Sequence, residues 1–210
     1  MTDHLVIYAR TPIAGYTKTR LAKGIGAQAA AGVYARLLYS LSVEVERSIQ
    51  QAPLHVTLSL SSEADISFFL AAFPEWRVTH QVDGDLGERM TASLQEEFSA
   101  GAEKVVLIGS DIPFLSSDLI QQAFVKLDDC EVLFGPTVDG GFYLIGTTIA
   151  ELAIFKGVAW STETVLLDCQ QNAINQGFTV DILAKLFDMD TQKEYFLWKQ
   201  RLLNMNKQKE

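Results

Sequence analysis

Cysteine is almost missing: Cys130 and Cys169 are the only two in 210 residues. They lie far apart and outside any Cys-x-x-Cys spacing, so neither a zinc site nor a disulfide framework is indicated, and a reducing cytoplasm is the expected compartment. Histidine is as scarce, with His4, His55 and His80 scattered at the starts or ends of apolar runs, in no arrangement that suits a triad or a metal cluster. No apolar run approaches 18 residues, and polar Met1–His4 passes directly into a strand pattern, so neither a signal peptide nor a membrane span is expected. Positive charge is also short. The 17 Lys and Arg stand against 26 Asp and Glu, a net charge of -9, which leaves no basic face for nucleic acid or an anionic membrane.

What the chain does have is alternation. Short apolar runs at 4–9, 54–60, 76–81, 104–109, 131–136, 142–146 and 178–183, several rich in Val and Ile, read as strands. Between most of them lie helical patterns at 27–50, 62–72, 86–100, 116–127, 163–176 and 191–203. Continuous apolar strands such as Lys104–Gly109 imply burial on both faces, hence an α/β fold with a mostly parallel sheet covered by helices. The 131–146 region breaks the rhythm, because only Pro136–Gly141 separates its two strands, and predicts a local β-rich insertion. A single domain over residues 1–203 with a frayed tail at 204–210 is the simplest organisation.

In an open α/β sheet, ligands bind beyond the carboxyl ends of the strands, so the residues just after each apolar run carry the chemistry. The first such segment, Ala9 to Leu21, holds Arg10, Lys18 and Arg20 with Gly15 and Pro12 for bends, and in so acidic a chain a local cationic loop points to anions. Lys18 and Arg20 are two apart, so an extended loop would aim both the same way. The spacing is not that of a P-loop. A solvated basic loop is the plainer explanation of Lys-x-Arg taken alone.

Carboxylates recur at the same edge: Asp111 after Gly109-Ser110, Asp139 before Gly140-Gly141, and Asp188 and Asp190 before a Thr191–Glu194 capping box. Carboxylates beside phosphates repel them unless a hard divalent cation intervenes, so Mg²⁺ or Mn²⁺ is the expected cofactor. Each aspartate also has a structural reading, as a turn former or helix cap. The segment Asp83–Met90 opens a helix at which backbone amides near Gly87 could meet a base or phosphate, and Trp160 is either a platform for a ring or a core residue.

The motifs Ala-Arg-x-Pro-x-x-Gly-x-x-Lys-Thr-Arg-Leu, Gly-Glu-Arg-Met, Ile-Gly-x-Asp-x-Pro, Asp-Gly-Gly-Phe-Tyr-Leu-Ile-Gly, Trp-Ser-Thr and Asp-x-Asp-Thr follow one another from residue 9 to residue 191. Together they resemble a bacterial glycosyltransferase family with the nucleotide-diphospho-sugar transferase (GT-A) fold, a three-layer α/β/α sandwich, distantly similar to molybdenum-cofactor and 2-phospholactate guanylyltransferases. The resemblance implies that Ala9, Arg10, Gly15, Lys18, Arg20, Gly87 and Ser110 bind the nucleotide and that Asp111 and Asp190 hold the metal. It implies a transferase acting on a nucleotide sugar and an unnamed small-molecule acceptor, with Lys18, Arg20, Asp111 and Asp139 as the catalytic candidates and Glu88 as a second candidate base. The single carboxylate in Gly109-Ser110-Asp111, where many sugar transferases carry Asp-x-Asp, resembles the nucleotidylyltransferase branch instead. Nucleotidylyl transfer from a nucleoside triphosphate is therefore the alternative, and a non-catalytic nucleotide-binding module the third.

Overall fold

Leu5, Ile7 and Ala9 point to one side of the first strand and Val6 and Tyr8 to the other, and both sides are covered. That double burial sets the architecture. The computed structural model describes residues 2–61 and 64–207. Its seven strands are β1 (Asp3–Ala9), β2 (Leu54–Leu60), β3 (Arg77–His80), β4 (Lys104–Gly109), β5 (Val132–Pro136), β6 (Phe142–Thr147) and β7 (Val180–Ile182). They form one sheet in the order β3-β2-β1-β4-β6-β5-β7. All neighbours are parallel except β6, which runs antiparallel to both β4 and β5. The β-rich insertion read from the sequence is thus a hairpin whose second strand wedges between β4 and β5.

Among the described residues there are seven helices: α1 (Thr19–Ile25), α2 (Ala27–Gln51), α3 (Ile66–Ala72), α4 (Leu86–Ser99), α5 (Ser117–Lys126), α6 (Val165–Asn175) and α7 (Gln192–Lys207). In α2 the buried residues Ala30, Val33, Leu37, Leu41 and Val45 recur every three or four positions, which gives the helix one apolar face. Its C-terminal part, with Leu41 and Val45, shares a core with Val106, Ile108 and Leu133 and with Ile120 and Phe124 of α5, while Ala30, Val33 and Leu37 belong to a separate cluster. The opposite face of the sheet packs Met90 and Leu94 of α4 with Cys169 and Ala173 of α6. A third cluster gathers Leu21, Leu37, Met189 and Trp198, joining α1, α2 and α7 beside the strand ends.

Most element ends shift by one or two residues from the sequence reading, and the helices α1, α3 and α7 depart from it further. Helix α1 was not expected there, so Arg20 lies on a helical turn rather than in an extended loop. Helix α3 begins at Ile66, where the Asp65 side chain caps Ser67 N at 2.9 Å; of the 62–72 helical pattern, Ser62 and Glu63 lie outside the described residues. Helix α7 continues to Lys207, beyond the expected end at 203, whereas residues 208–210 of the expected frayed tail lie outside the described residues. Among the described residues no helix is long and apolar enough to cross a membrane.

Candidate active site

Strand order reverses at β1, which has β2 on one side and β4 on the other, and the loops that follow β1 and β4 lie side by side at this edge of the sheet, where an open α/β fold places its ligands. The loop after β1 is built by its own hydrogen bonds. Thr17, buried, donates its Oγ1 proton to Thr11 O at 2.7 Å, and the amides of Tyr16 and Thr17 both donate to Ile13 O. Gly15 supplies the left-handed turn, with φ of 85°. Lys18 then also adopts the left-handed conformation, with φ of 54° and ψ of 48°. For a residue with a Cβ that costs roughly 1–2 kcal/mol, and strain of this kind gathers at functional sites.

The strained backbone turns the Lys18 side chain inward. Its Nζ donates to Asp111 Oδ2 at 2.6 Å and to Asp190 Oδ1 at 2.9 Å, while Arg20 Nη1 reaches Asp190 Oδ2 at 3.3 Å. Although the ammonium side chain is only 7% exposed, the two carboxylates stay about a third exposed, so the cluster opens outward on its acidic side. Burial pulls the Lys18 pKa down, but attraction from Asp111 and Asp190 outweighs it and the net shift is upward, so Lys18 is charged. Asp188 takes the opposite course: burial, then the neighbouring charges of Asp190, Asp139 and Asp111, push it up to about 6. Four aspartates from three separate segments thus share one electrostatic neighbourhood.

Two further contacts fix its frame. Met189 is fully buried in the α1–α2–α7 cluster, and its amide donates to Asp111 O at 3.1 Å, tying the segment between β7 and α7 to the end of β4. Half of the expected capping box is present: Glu194 Oε2 accepts from Thr191 N at 2.7 Å and from Thr191 Oγ1 at 2.5 Å, while Thr191 Oγ1 accepts from Lys193 N at 3.2 Å. On the other flank, the phenol of Tyr34 on α2 accepts from Arg10 N at 2.9 Å and shares a proton with Ser110 Oγ at 2.7 Å. Burial raises its pKa, so the bridge stays protonated. A tyrosine inside an amphipathic helix reads as core, and nothing in the sequence distinguishes Tyr34 from the apolar residues around it.

Beyond β1, β2 and β3 lies a cavity of about 230 Å³ lined by Arg10, Ser61, Gln81, Asp83, Gly84 and Arg89, among others. The sequence reading named Arg10 here but missed Ser61, Gln81 and Arg89, although Gln81 directly follows β3 and the strand-end rule would have found it. Gly87 is buried at the start of α4, and a Cβ there would meet Phe155 and Trp160 at 2.8 Å, so close packing accounts for the glycine; Gly84 is the glycine of this segment that lines the cavity. Trp160 is accordingly a half-buried packing residue.

The candidate bases are bound within their own turns. Asp139 Oδ1 accepts from Thr137 Oγ1 at 2.5 Å and from Gly141 N at 3.2 Å, and Glu88 Oε2 accepts from Asp85 N at 2.8 Å in a capping box. Ala9 is buried at the end of β1 and only presents the loop. The pairing that an extended Lys-x-Arg predicts does not occur, yet both cations still converge on Asp190, from a left-handed residue and from the first turn of α1.

A bacterial family described as an uncharacterized protein conserved in bacteria (DUF2064) matches residues 44–162, more than half of the chain. Among solved structures, one from Desulfovibrio desulfuricans, assigned as a nucleotide-diphospho-sugar transferase, is 28% identical, with a TM-score of 0.81 over 91% of this chain and 84% of that one. A 4-diphosphocytidyl-2C-methyl-D-erythritol synthase from Anaerococcus prevotii is 13% identical, with a TM-score of 0.64 over 96% of each chain. A nucleotidyl transferase from Methanothermobacter, also 13% identical, gives 0.61 over 97% of this chain and 99% of that one. These last two show the fold alone. No curated protein matches the chain. The GT-A fold and the resemblance expected from the motifs are borne out, and the neighbours are transferases, as expected.

Proposed function

The chain belongs to the DUF2064 family, and on that premise we propose that it is a metal-dependent transferase whose donor is a nucleotide sugar. The observation that carries this reading is the convergence of Lys18 and Arg20 on Asp111 and Asp190 at the point where strand order reverses. The likeness to the Desulfovibrio desulfuricans structure supports it.

The donor set suits a hard divalent cation. Oxygens of Asp111 and Asp190 lie within 3 Å of one point, now held by the Lys18 ammonium, and Asp188 adds uncompensated negative charge nearby. Among the described residues no three His, Cys, Asp or Glu are gathered closely enough to enclose a metal by themselves. That accords with Mg²⁺ or Mn²⁺, which takes one or two carboxylates and fills its remaining positions with water and phosphate oxygens. When bound, such an ion supplies neutralisation of a diphosphate and Lewis-acid stabilisation of its developing charge.

The chain's own residues do the rest. Arg10 and Arg20, both exposed, meet the donor phosphates, and Lys18, released from one carboxylate, donates to the bridging oxygen on which charge builds. The acceptor hydroxyl forms a bond to the anomeric carbon, the bond from that carbon to the diphosphate oxygen breaks, and the nucleoside diphosphate leaves with the electron pair and takes up the hydroxyl proton. Neither Asp139 nor Glu88 is assigned as the base that takes the hydroxyl proton, because each already spends an oxygen on its own turn.

One observation favours a second reading. The end of β4 carries a single carboxylate, Asp111, where an Asp-x-Asp would serve a sugar transferase, and the same cluster could stabilise pyrophosphate leaving a nucleoside triphosphate. A thermal-shift panel of nucleotide sugars and nucleoside triphosphates, each with Mn²⁺ and with EDTA, separates the two. A ligand at 100 times its dissociation constant stabilises by about 2.7 kcal/mol. Metal-dependent stabilisation chiefly by a nucleotide sugar supports the proposal, chiefly by a triphosphate supports nucleotidylyl transfer, and none by any nucleotide refutes both.

A further inference from the structure

The cavity beside the phosphate loop is lined by two kinds of group that cannot exchange roles. The guanidiniums of Arg10 and Arg89 only donate, and the Asp83 carboxylate only accepts. Gln81 is fixed beside Arg89: its Nε2 donates to Ser59 O at 3.1 Å, and its Oε1 accepts from Arg89 Nη1 at 3.2 Å. Arg89 Nε is held by Asp85 O at 3.2 Å, so its plane is set from two sides and three of its five N–H groups remain for a ligand. The cavity adjoins the cationic loop through Arg10, which belongs to both. A nucleotide with its diphosphate on that loop therefore places its base here.

We propose that this cavity reads the nucleobase, with Arg89 and Asp83 as the specificity-determining pair, and that the base they select is guanine. The inference rests on the nucleotide-binding reading above. One edge of a guanidinium takes two adjacent acceptors in a bidentate pair, and a carboxylate takes two adjacent donors in the same way. Guanine offers both, O6 with N7 on one edge and N1–H with the N2 amino group on another. Cytosine has adjacent acceptors but a single donor group, uracil alternates acceptor, donor and acceptor, and adenine sets its amino group beside ring acceptors. Arginine on O6 and N7 is also the commonest specific contact to guanine in macromolecular recognition. Exposed Asp83 lies in the turn before α4, where substitution leaves the core untouched.

The test is calorimetric titration of the whole chain, in Mn²⁺, with the diphosphates of guanosine, inosine, uridine, cytidine and adenosine. Inosine lacks only the 2-amino group, so it isolates half of the Asp83 contact. GDP should bind roughly tenfold or more tightly than the uridine, cytidine and adenosine diphosphates, and more tightly than IDP. Asp83→Asn should weaken GDP while narrowing the GDP-to-IDP ratio, and Arg89→Gln should weaken GDP and IDP alike, with the thermal midpoint of the nucleotide-free variants showing that they fold. Equal binding of all five nucleotides, or a GDP-to-IDP ratio unmoved by Asp83→Asn, overturns the base assignment while leaving the nucleotide site standing. Failure of every nucleotide to bind overturns both.

Discussion

Lys18 occupies the place of a cation among acids, and it does so in a backbone conformation that a non-glycine residue rarely takes. Its strain is balanced by two charged hydrogen bonds. Replacing it with Ala leaves Asp111, Asp188 and Asp190 without that counter-charge; we expect a loss of roughly 1.5–3 kcal/mol in EDTA, moderated by the partial exposure of the carboxylates, and partial recovery in Mg²⁺. Urea titrations in the two conditions check it. Asp188 gives a prediction of definite sign. Its folded pKa of about 6 exceeds the ordinary 3.8, so the folded form prefers the protonated acid, and the ionised carboxylate weakens the fold once pH rises above that range. In EDTA, Asp188→Asn should raise the thermal midpoint at pH 8 and change it little at pH 4. An unchanged midpoint at pH 8 would mean that the carboxylate is solvated. Tyr34→Phe removes a partner from Arg10 N and from Ser110 Oγ without opening the core, and should cost about 1–3 kcal/mol in denaturant stability.

Among the elements, the segment between β7 and α7 shows how packing delivers chemistry. Met189 enters the cluster of Leu21, Leu37 and Trp198, and the hydrogen bond from its N–H to Asp111 O keeps the flanking aspartates beside β4. Met189→Ala should cost about 2–5 kcal/mol through the cavity it leaves. It should also weaken metal-dependent nucleotide binding more than an equally destabilising substitution at Cys169, which lies on the far face of the sheet. Titration calorimetry on both variants makes the comparison. The elements themselves were largely legible in the chain, because doubly buried strands are continuous apolar runs and α2 repeats its apolar residues every three to four positions. Helix α1 was hidden. Its seven residues include a single fully buried side chain, Leu21, and it docks by a tight approach of Gly24 to Gln192 on α7, a contact without a local sequence signal.

For the whole molecule, the strand order explains why residues as distant as Lys18, Asp111 and Asp190 meet: the parallel strands β1, β4 and β7 deliver their following loops to one edge of the sheet. That much could be argued from the sequence, and Lys18, Arg20, Asp111 and Asp190 were all named from it. What could not be read was the division of labour. Whether Asp139 or Glu88 is free to act depends on turn hydrogen bonds, and although the strand-end rule points to Gln81, that it lines one cavity with Arg10 and Arg89 depends on how β3 and α4 lie against β1. Net charge of -9 around a small cationic loop also has a consequence for the whole protein: salt should weaken nucleotide binding only modestly, since the contacts are short and local. The central claim is that Asp111 and Asp190 hold a divalent cation against a nucleoside diphosphate. It is tested most directly by paramagnetic resonance titration of Mn²⁺ with GDP, following the free-ion signal for the wild type, Asp111→Asn and Asp190→Asn. The account predicts loss of the free signal at stoichiometric wild-type protein and its persistence with either variant; binding of Mn²⁺ undiminished in both variants would contradict it.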